Sequence, residues 1–140
     1  MIELPCLFCD VVNGAVPVRT VLSDDVAIAF LDHSPLFKGH VLIVPRRHTL
    51  TLADLDSDLL GGLFERVQRV SARMPAALGC DGTFVAINNV VSQSVAHLHV
   101  HVVPRRRKDG LRGFFWPRAR YESDAEADDY AQRLTDALAD

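Results

Sequence analysis

Cysteine is scarce in this chain: three among 140 residues, two of them spaced as Cys6-x-x-Cys9. That is no disulfide framework, and in a reducing compartment such a pair marks a metal or redox site. Charge of one sign is also lacking. The formal net charge of −3 gives no global pull toward nucleic acid or acidic membranes. No apolar run approaches the ~20 residues of a membrane span. Met1 to Pro5 shows no basic stretch leading into an apolar one, so we expect no signal peptide and a cytoplasmic protein. What remains is ordinary for a globular chain, 49% hydrophobic and 24% charged, and long enough for one domain with a real core.

One stretch stands out: Ala96-His97-Leu98-His99-Val100-His101-Val102-Val103-Pro104. Histidine recurs at every second position with aliphatics between. An extended strand sends successive side chains to opposite faces, so this segment puts three imidazoles on one face and Leu98, Val100 and Val102 on the other. A helix would scatter them. Three such rings span roughly 13 Å at about 3.3 Å per residue, so neighbours can share a phosphate or a metal. Protonated neighbours repel, and buried ones each need a partner. The pattern therefore reads as functional, since imidazole serves as base, nucleophile and metal ligand. The bland alternative is the solvated face of an amphipathic strand.

Leu7 to Asn13 predicts a short helix stopped at Gly14. Arg19 to Ser23 and Val26 to Leu31 read as strands around an Asp24-Asp25 turn, and His40 to Pro45 as a central strand. Asp56 or Ser57 caps a long helix whose stripe is Leu59, Leu60, Leu63, Phe64, Val67, Val70 and Met74, with Pro75 ending or kinking it, or Ala76 to Leu78 adding a last turn, and Gly79 as the C-terminal cap. Thr83 to Asn88 is the next strand. Ser123-x-x-Glu126 opens a last helix carrying Ala127, Tyr130, Leu134 and Leu138 on one side. The order predicts an α+β fold with helices packed on an antiparallel sheet. The core is placed at residues 1–104. Residues 105–140 form a C-terminal extension of the same domain, basic at Arg105 to Lys108, Arg112, Arg118 and Arg120, and aromatic at Phe114, Phe115 and Trp116.

The middle histidine, His99, has a neighbour on each side. Held with one ring nitrogen protonated, it presents the other as a nucleophile. Asn88, Gln93 and Ser94 supply polar donors near the same strand end, suited to phosphate oxygens or to ordinary loop polarity. His97-Leu98-His99-Val100-His101-Val102-Val103 resembles the signature of the histidine triad (HIT) superfamily. Ala29-Phe30-Leu31-Asp32, then Lys38 to His48, looks like that family's first-half pattern, and Asn88 with Gln93-Ser94-Val95 like its phosphate loop. Together these motifs cover about Cys6 to Pro104.

The resemblance implies a homodimer built on an antiparallel sheet with a long helix. It implies that His99 becomes nucleotidylated on the α-phosphate of a purine nucleotide conjugate and that His101 assists the leaving group. Asp32 would take ribose hydroxyls. Phe8, Val11, Val16, Phe30 and Leu31 would line the base and sugar pocket, while Asn88, Gln93 and Ser94 would bind phosphate. Many relatives carry a glycine-bearing loop where Asn89-Val90-Val91-Ser92 stands here, so fewer backbone donors are on offer. In the family's zinc-bearing branch a Cys-x-x-Cys pair is completed by two histidines, which implies a structural zinc on Cys6, Cys9, His48 and His97. Structural zinc takes four such ligands. His33 and His40 are read as non-catalytic, and Cys80 as a small buried hydrophobe. The basic aromatic tail is read as solvated and packed, or as a border of the site that selects the leaving group. Its arginines and aromatics also fit single-stranded nucleic acid, which the net charge disfavours. The rivals are a nucleotide-binding module without catalysis and an enzyme with a catalytic metal on the His-x-His pair.

Overall fold

The computed structural model describes residues 5–112 and 118–139, so Phe114, Phe115 and Trp116 lie outside the described residues. The chain forms two compact units, 1–109 and 110–140.

In the first unit, α1 (Leu7–Val12) opens on Cys6, whose thiol accepts the Cys9 N–H at 3.4 Å, and stops before Gly14 at φ +80°. Strands β1 (Thr20–Ser23) and β2 (Ala27–Leu31) form a hairpin. Asp24 holds its turn by accepting the N–H groups of Val26 and Ala27, both at 3.0 Å. Central strand β3 (Val41–Pro45) is buried at all five positions. Helix α2 (Ser57–Leu78) follows, then β4 (Gly82–Ala86) and β5 (Val100–Arg105). The sheet order is β1-β2-β3-β5-β4, antiparallel throughout, which is the α+β architecture expected.

Alternation divides the core into two layers. Ala27, Ala29, Val41, Ile43, Leu98, Val100 and Val102 face α2 and pack on Leu63, Val67 and Met74. Ile28, Phe30, Leu42 and Val44 face the other way and pack on Phe8 and Val11 of α1. The large helix thus covers one face of the sheet. The other face carries a short helix and is left open enough for a cavity.

Two local expectations need correction and one is narrowed. Helix α2 does not end at Pro75 but runs on to Leu78. Proline removes one N–H near the end of the helix, and the Gly79 N–H, at φ +67°, still closes on the Pro75 carbonyl at 2.8 Å. Leu60 does not join the buried stripe and stays exposed. The histidine strand is shorter than its sequence pattern: ladder pairing begins at Val100, so His97 and His99 precede the strand. Alternation of faces nevertheless extends back through them, because Leu98 is fully buried on the α2 side. Residues Arg105 to Asp109 belong to the first unit. The Asp81 N–H donates to the Arg105 carbonyl and the Arg107 N–H to Asp81, both at 2.8 Å, while Arg106 donates to the Leu78 carbonyl at 2.9 Å.

In the second unit, α3 (Asp124–Leu138) is capped by Ser123, which accepts the Glu126 N–H at 3.1 Å. Glu126 reaches back to the Glu122 N–H at 3.0 Å.

Leu63 is fully buried where α2 meets the sheet. Leu63→Ala is expected to destabilise the fold by about 3 kcal/mol, read as a lower urea midpoint at unchanged slope.

Candidate active site and metal-binding cluster

The histidine face of the sheet is organised by what each ring nitrogen meets. His97 is fully buried. Its Nε2 lies 2.9 Å from the Pro45 carbonyl, which only a ring N–H can satisfy, so Nδ1 carries the lone pair. That Nδ1 points into a cluster. It is 3.5 Å from Cys6 Sγ, 3.6 Å from Cys9 Sγ and 3.3 Å from His48 Nδ1, and Cys9 Sγ is 3.2 Å from His48 Nδ1. All four donor atoms lie within 4.8 Å of one another. A tetrahedral ion with zinc-like bond lengths would set sulfur and nitrogen roughly 3.6 Å apart and two nitrogens roughly 3.3 Å apart. The four side chains therefore fit one tetrahedral ion, and they include a histidine whose second nitrogen is already fixed by a carbonyl. Burial, more than any charge, pushes the His97 pKa down and keeps the ring neutral, as a ligand must be. Cys6, Cys9, His48 and His97, the four residues the sequence suggested, are thus brought together from α1, the loop after β3 and the segment before β5.

His99 is also buried, at 3% exposure, edge-on to Phe8 with ring centroids 5.1 Å apart. Its Nδ1 lies 2.8 Å from the His97 carbonyl and must carry the proton, leaving the Nε2 lone pair free. His101 continues the row, 4.9 Å from His99 between ring centroids.

His40 is the residue that sequence reasoning set aside. It is buried, and its Nε2 lies 2.9 Å from His101 Nδ1. Its Nδ1 accepts the Leu36 N–H at 3.1 Å, so the proton sits on Nε2 and is donated to His101. His101 then carries its own proton on Nε2, the one buried side-chain polar atom without a partner among the described residues. Burial first, then the cost of placing a further positive charge beside the His99 and His40 rings, hold the His101 pKa at about 4, and burial likewise lowers that of His40. A sequence signal for His40 existed. It shares parity with Leu42 and Val44 and so lies on the face opposite α2, but only the Leu42↔His101 pairing shows which histidine it meets.

A cavity of about 600 Å³ opens in front of His99 and His101. Phe8, Val11, Val16, Phe30, Leu31, Asp32, His33 and Ser94 line it. Asp32 accepts the Ser34 N–H at 2.9 Å and keeps its other oxygen 3.8 Å from His40 Nδ1. Asn88 and Gln93 are not in the cavity wall. The Gln93 amide instead donates to the Leu50 carbonyl at 2.7 Å and its oxygen accepts the Val90 N–H at 3.1 Å, bracing the loop. Val90 and Ser92, in the stretch where glycine was missed, adopt φ of 70° and 61°. For a β-branched residue that is strained backbone.

A model of the HIT domain matches residues 13–108, and the chain belongs to that family. Over 116 residues it is 29% identical to the adenosine 5'-monophosphoramidase of Schizosaccharomyces pombe, covering 81% of this chain and 84% of that one. It is 32% identical over 108 residues to an adenylylsulfatase of Arabidopsis thaliana, covering 76% of this chain and 55% of that protein. A Bacillus subtilis HIT family structure superposes with a TM-score of 0.86 at 28% identity, covering 96% of this chain and 98% of that one. A zinc-bound histidine triad protein from Mycobacterium smegmatis gives 0.72 at 33% identity, covering 94% and 96%. Among the described residues no helix is long and apolar enough to cross a membrane.

Two outcomes follow from this geometry. Val90→Gly removes the strain and is expected to stabilise the fold by about 1 kcal/mol, seen as a raised urea midpoint. Unfolding frees His101 and His40 to titrate near 6.5, so the unfolded chain takes up protons that the folded one refuses. The stability they contribute is present above about pH 6.5 and is lost as pH falls toward about 4, which Tm across that range checks. His101→Asn with His40→Asn should flatten the slope.

Proposed function

We propose that this protein is a nucleotide hydrolase or nucleotidyl transferase acting at the α-phosphate of a purine nucleotide derivative. The observation that carries the reading is which nitrogen of each imidazole meets a hydrogen-bond partner. His99 holds its proton on the His97 carbonyl and offers Nε2 as a lone pair, and His101 offers an unpartnered N–H beside it. One ring can attack while the next donates, and both belong to one cavity. The kinship with an adenosine 5'-monophosphoramidase and an adenylylsulfatase supports the same chemistry.

The aliphatic and aromatic wall of Phe8, Val11, Val16, Phe30 and Leu31 takes the base and sugar, and the free carboxylate lone pairs of Asp32 take ribose hydroxyls. Ser94 and the His101 N–H bind the α-phosphate. Its negative charge offsets the burial that keeps His101 neutral and draws an extra, third ring proton onto the His40–His101 pair. His99 Nε2 then attacks phosphorus. The bond to the leaving group breaks, and the leaving atom takes the extra proton from His101 Nε2. Water attacks the nucleotidyl-His99 intermediate, gives its proton back to His101, and the nucleoside monophosphate departs. His40 supports both steps by holding His101 with Nε2 toward the substrate. Cys6, Cys9, His48 and His97 would hold a zinc ion in a closed, structural role that ties α1 to the catalytic segment. The reading also includes a homodimer working in the cytoplasm.

His99→Ala should lower turnover of adenosine 5'-phosphoramidate, diadenosine polyphosphates or adenylyl sulfate by roughly a thousand-fold or more, with metal content unchanged. Rapid quenching of the wild type should show a nucleotidyl mass increment on a His99 peptide. Turnover within about ten-fold of wild type in His99→Ala would sink the covalent route and leave a binding module or a different nucleophile.

A further inference from the structure

The cavity does not stop at Asp32. Its wall also includes Pro35 and Lys38, and these two residues line a second recess of about 610 Å³ together with Leu36, Phe37 and Arg106. No acidic residue lines that recess. Both of its cations carry uncompensated charge. Among the described residues Lys38 has no ion pair and no side-chain hydrogen bond. Arg106 donates one guanidinium N–H to the Leu78 carbonyl at 2.9 Å and pairs with no carboxylate. The nearby Asp109 is held by Arg105 at 2.6 and 3.0 Å. Capping the last turn of α2 therefore occupies one corner of the Arg106 fork and leaves the rest open.

Both cations are placed by the same helix end. Gly39, at φ +101°, lies so close to Leu78 that a β-carbon on it would come within 2.5 Å of Leu78 Cδ1. Leu78 is also the residue whose carbonyl holds Arg106. The loop bearing Lys38 is closed by the Leu36 N–H on His40 Nδ1 at 3.1 Å and by the His40 N–H on the Phe37 carbonyl at 3.0 Å. Asp32 adjoins that loop, since its N–H donates to the His40 carbonyl at 2.9 Å.

We propose that the recess binds a phosphate esterified to a ribose hydroxyl, so that the protein takes nucleotide conjugates phosphorylated on the 2′ or 3′ oxygen. The inference rests on the nucleotide reading, in which Asp32 meets the ribose hydroxyls. A group attached to one hydroxyl leaves the cavity beside Asp32, next to the Lys38 loop, and the other hydroxyl stays on the carboxylate. A carboxylate alone would repel a phosphate there. Two uncompensated cations reverse that sign, Lys38 as a point charge and Arg106 as a planar fork that matches phosphate oxygens. A merely solvated lysine and a merely capping arginine would give a ribose phosphate no advantage.

The test is calorimetric binding of AMP, adenosine 3′,5′-bisphosphate and adenosine 2′,5′-bisphosphate to wild type, Lys38→Met, Arg106→Met, Arg106→Lys and the Lys38→Met/Arg106→Met double variant. The readout is the ratio of Kd values, AMP over bisphosphate, in which effects common to all ligands cancel. In wild type it should reach roughly 10 to 100 for at least one isomer, which identifies the oxygen. Each Met variant should lower it several-fold, the double variant should bring it to about one, and Arg106→Lys, which keeps the charge, should retain most of it. A ratio near one for both isomers in wild type overturns the proposal, as does a high ratio that survives in the double variant. Should the Arg106 variants not fold, an unchanged ratio in Lys38→Met overturns it. AMP binding without preference defeats this inference alone. Failure of all three ligands to bind defeats the nucleotide reading and this one with it.

Discussion

The site depends on an extended backbone that has to choose faces. Leu98, Val100 and Val102 are fully buried against the stripe of α2. Once those three are committed, the residues between them have one place to go. Putting imidazoles under α2 instead would desolvate three titratable rings with no partner at hand. The opposite face offers Phe8, a cavity, a carbonyl at Pro45 and a partner histidine. Aliphatic burial on one side is therefore what aims the chemistry on the other.

Three rings of one type then present three different nitrogens according to what each meets. A carbonyl on Nε2 leaves His97 its lone pair at Nδ1, beside Cys6, Cys9 and His48. A carbonyl on Nδ1 leaves His99 its lone pair at Nε2. A donor on Nδ1 makes His101 itself a donor through Nε2. Hydrogen bonds of ordinary length, all between 2.8 and 2.9 Å, carry this assignment. Burial strengthens it by keeping His97, His40 and His101 neutral, since a doubly protonated ring would have no lone pair to direct.

The short helix α1 illustrates how little a local element has to contribute by itself. Six residues cannot hold a helix in water. Phe8 and Val11 seat it on the sheet, Cys6 caps it, and the same Cys6 with Cys9 turns toward His48 and His97. One helix and its cap thereby supply part of the cavity wall and two of four side chains that could hold a metal ion.

Much of this was legible in the residues themselves. Period-two alternation around His97, His99 and His101, helical spacing from Leu63 to Met74 and the Asp24 turn are local facts, because side-chain direction and capping depend on near neighbours in the chain. So were the walls Phe8, Phe30 and Asp32, through the family pattern. The exceptions share a cause. The role of His40 depends on β3 lying beside β5, a pairing between residues 61 positions apart. The early end of the ladder before His99 and the diversion of Gln93 to the Leu50 carbonyl depend on which surfaces meet. The chain alone determined which faces would be apolar and which residues could react. Only the packed sheet decided which nitrogen each ring would offer, because a proton's place on imidazole is set by a partner that sequence spacing does not bring near.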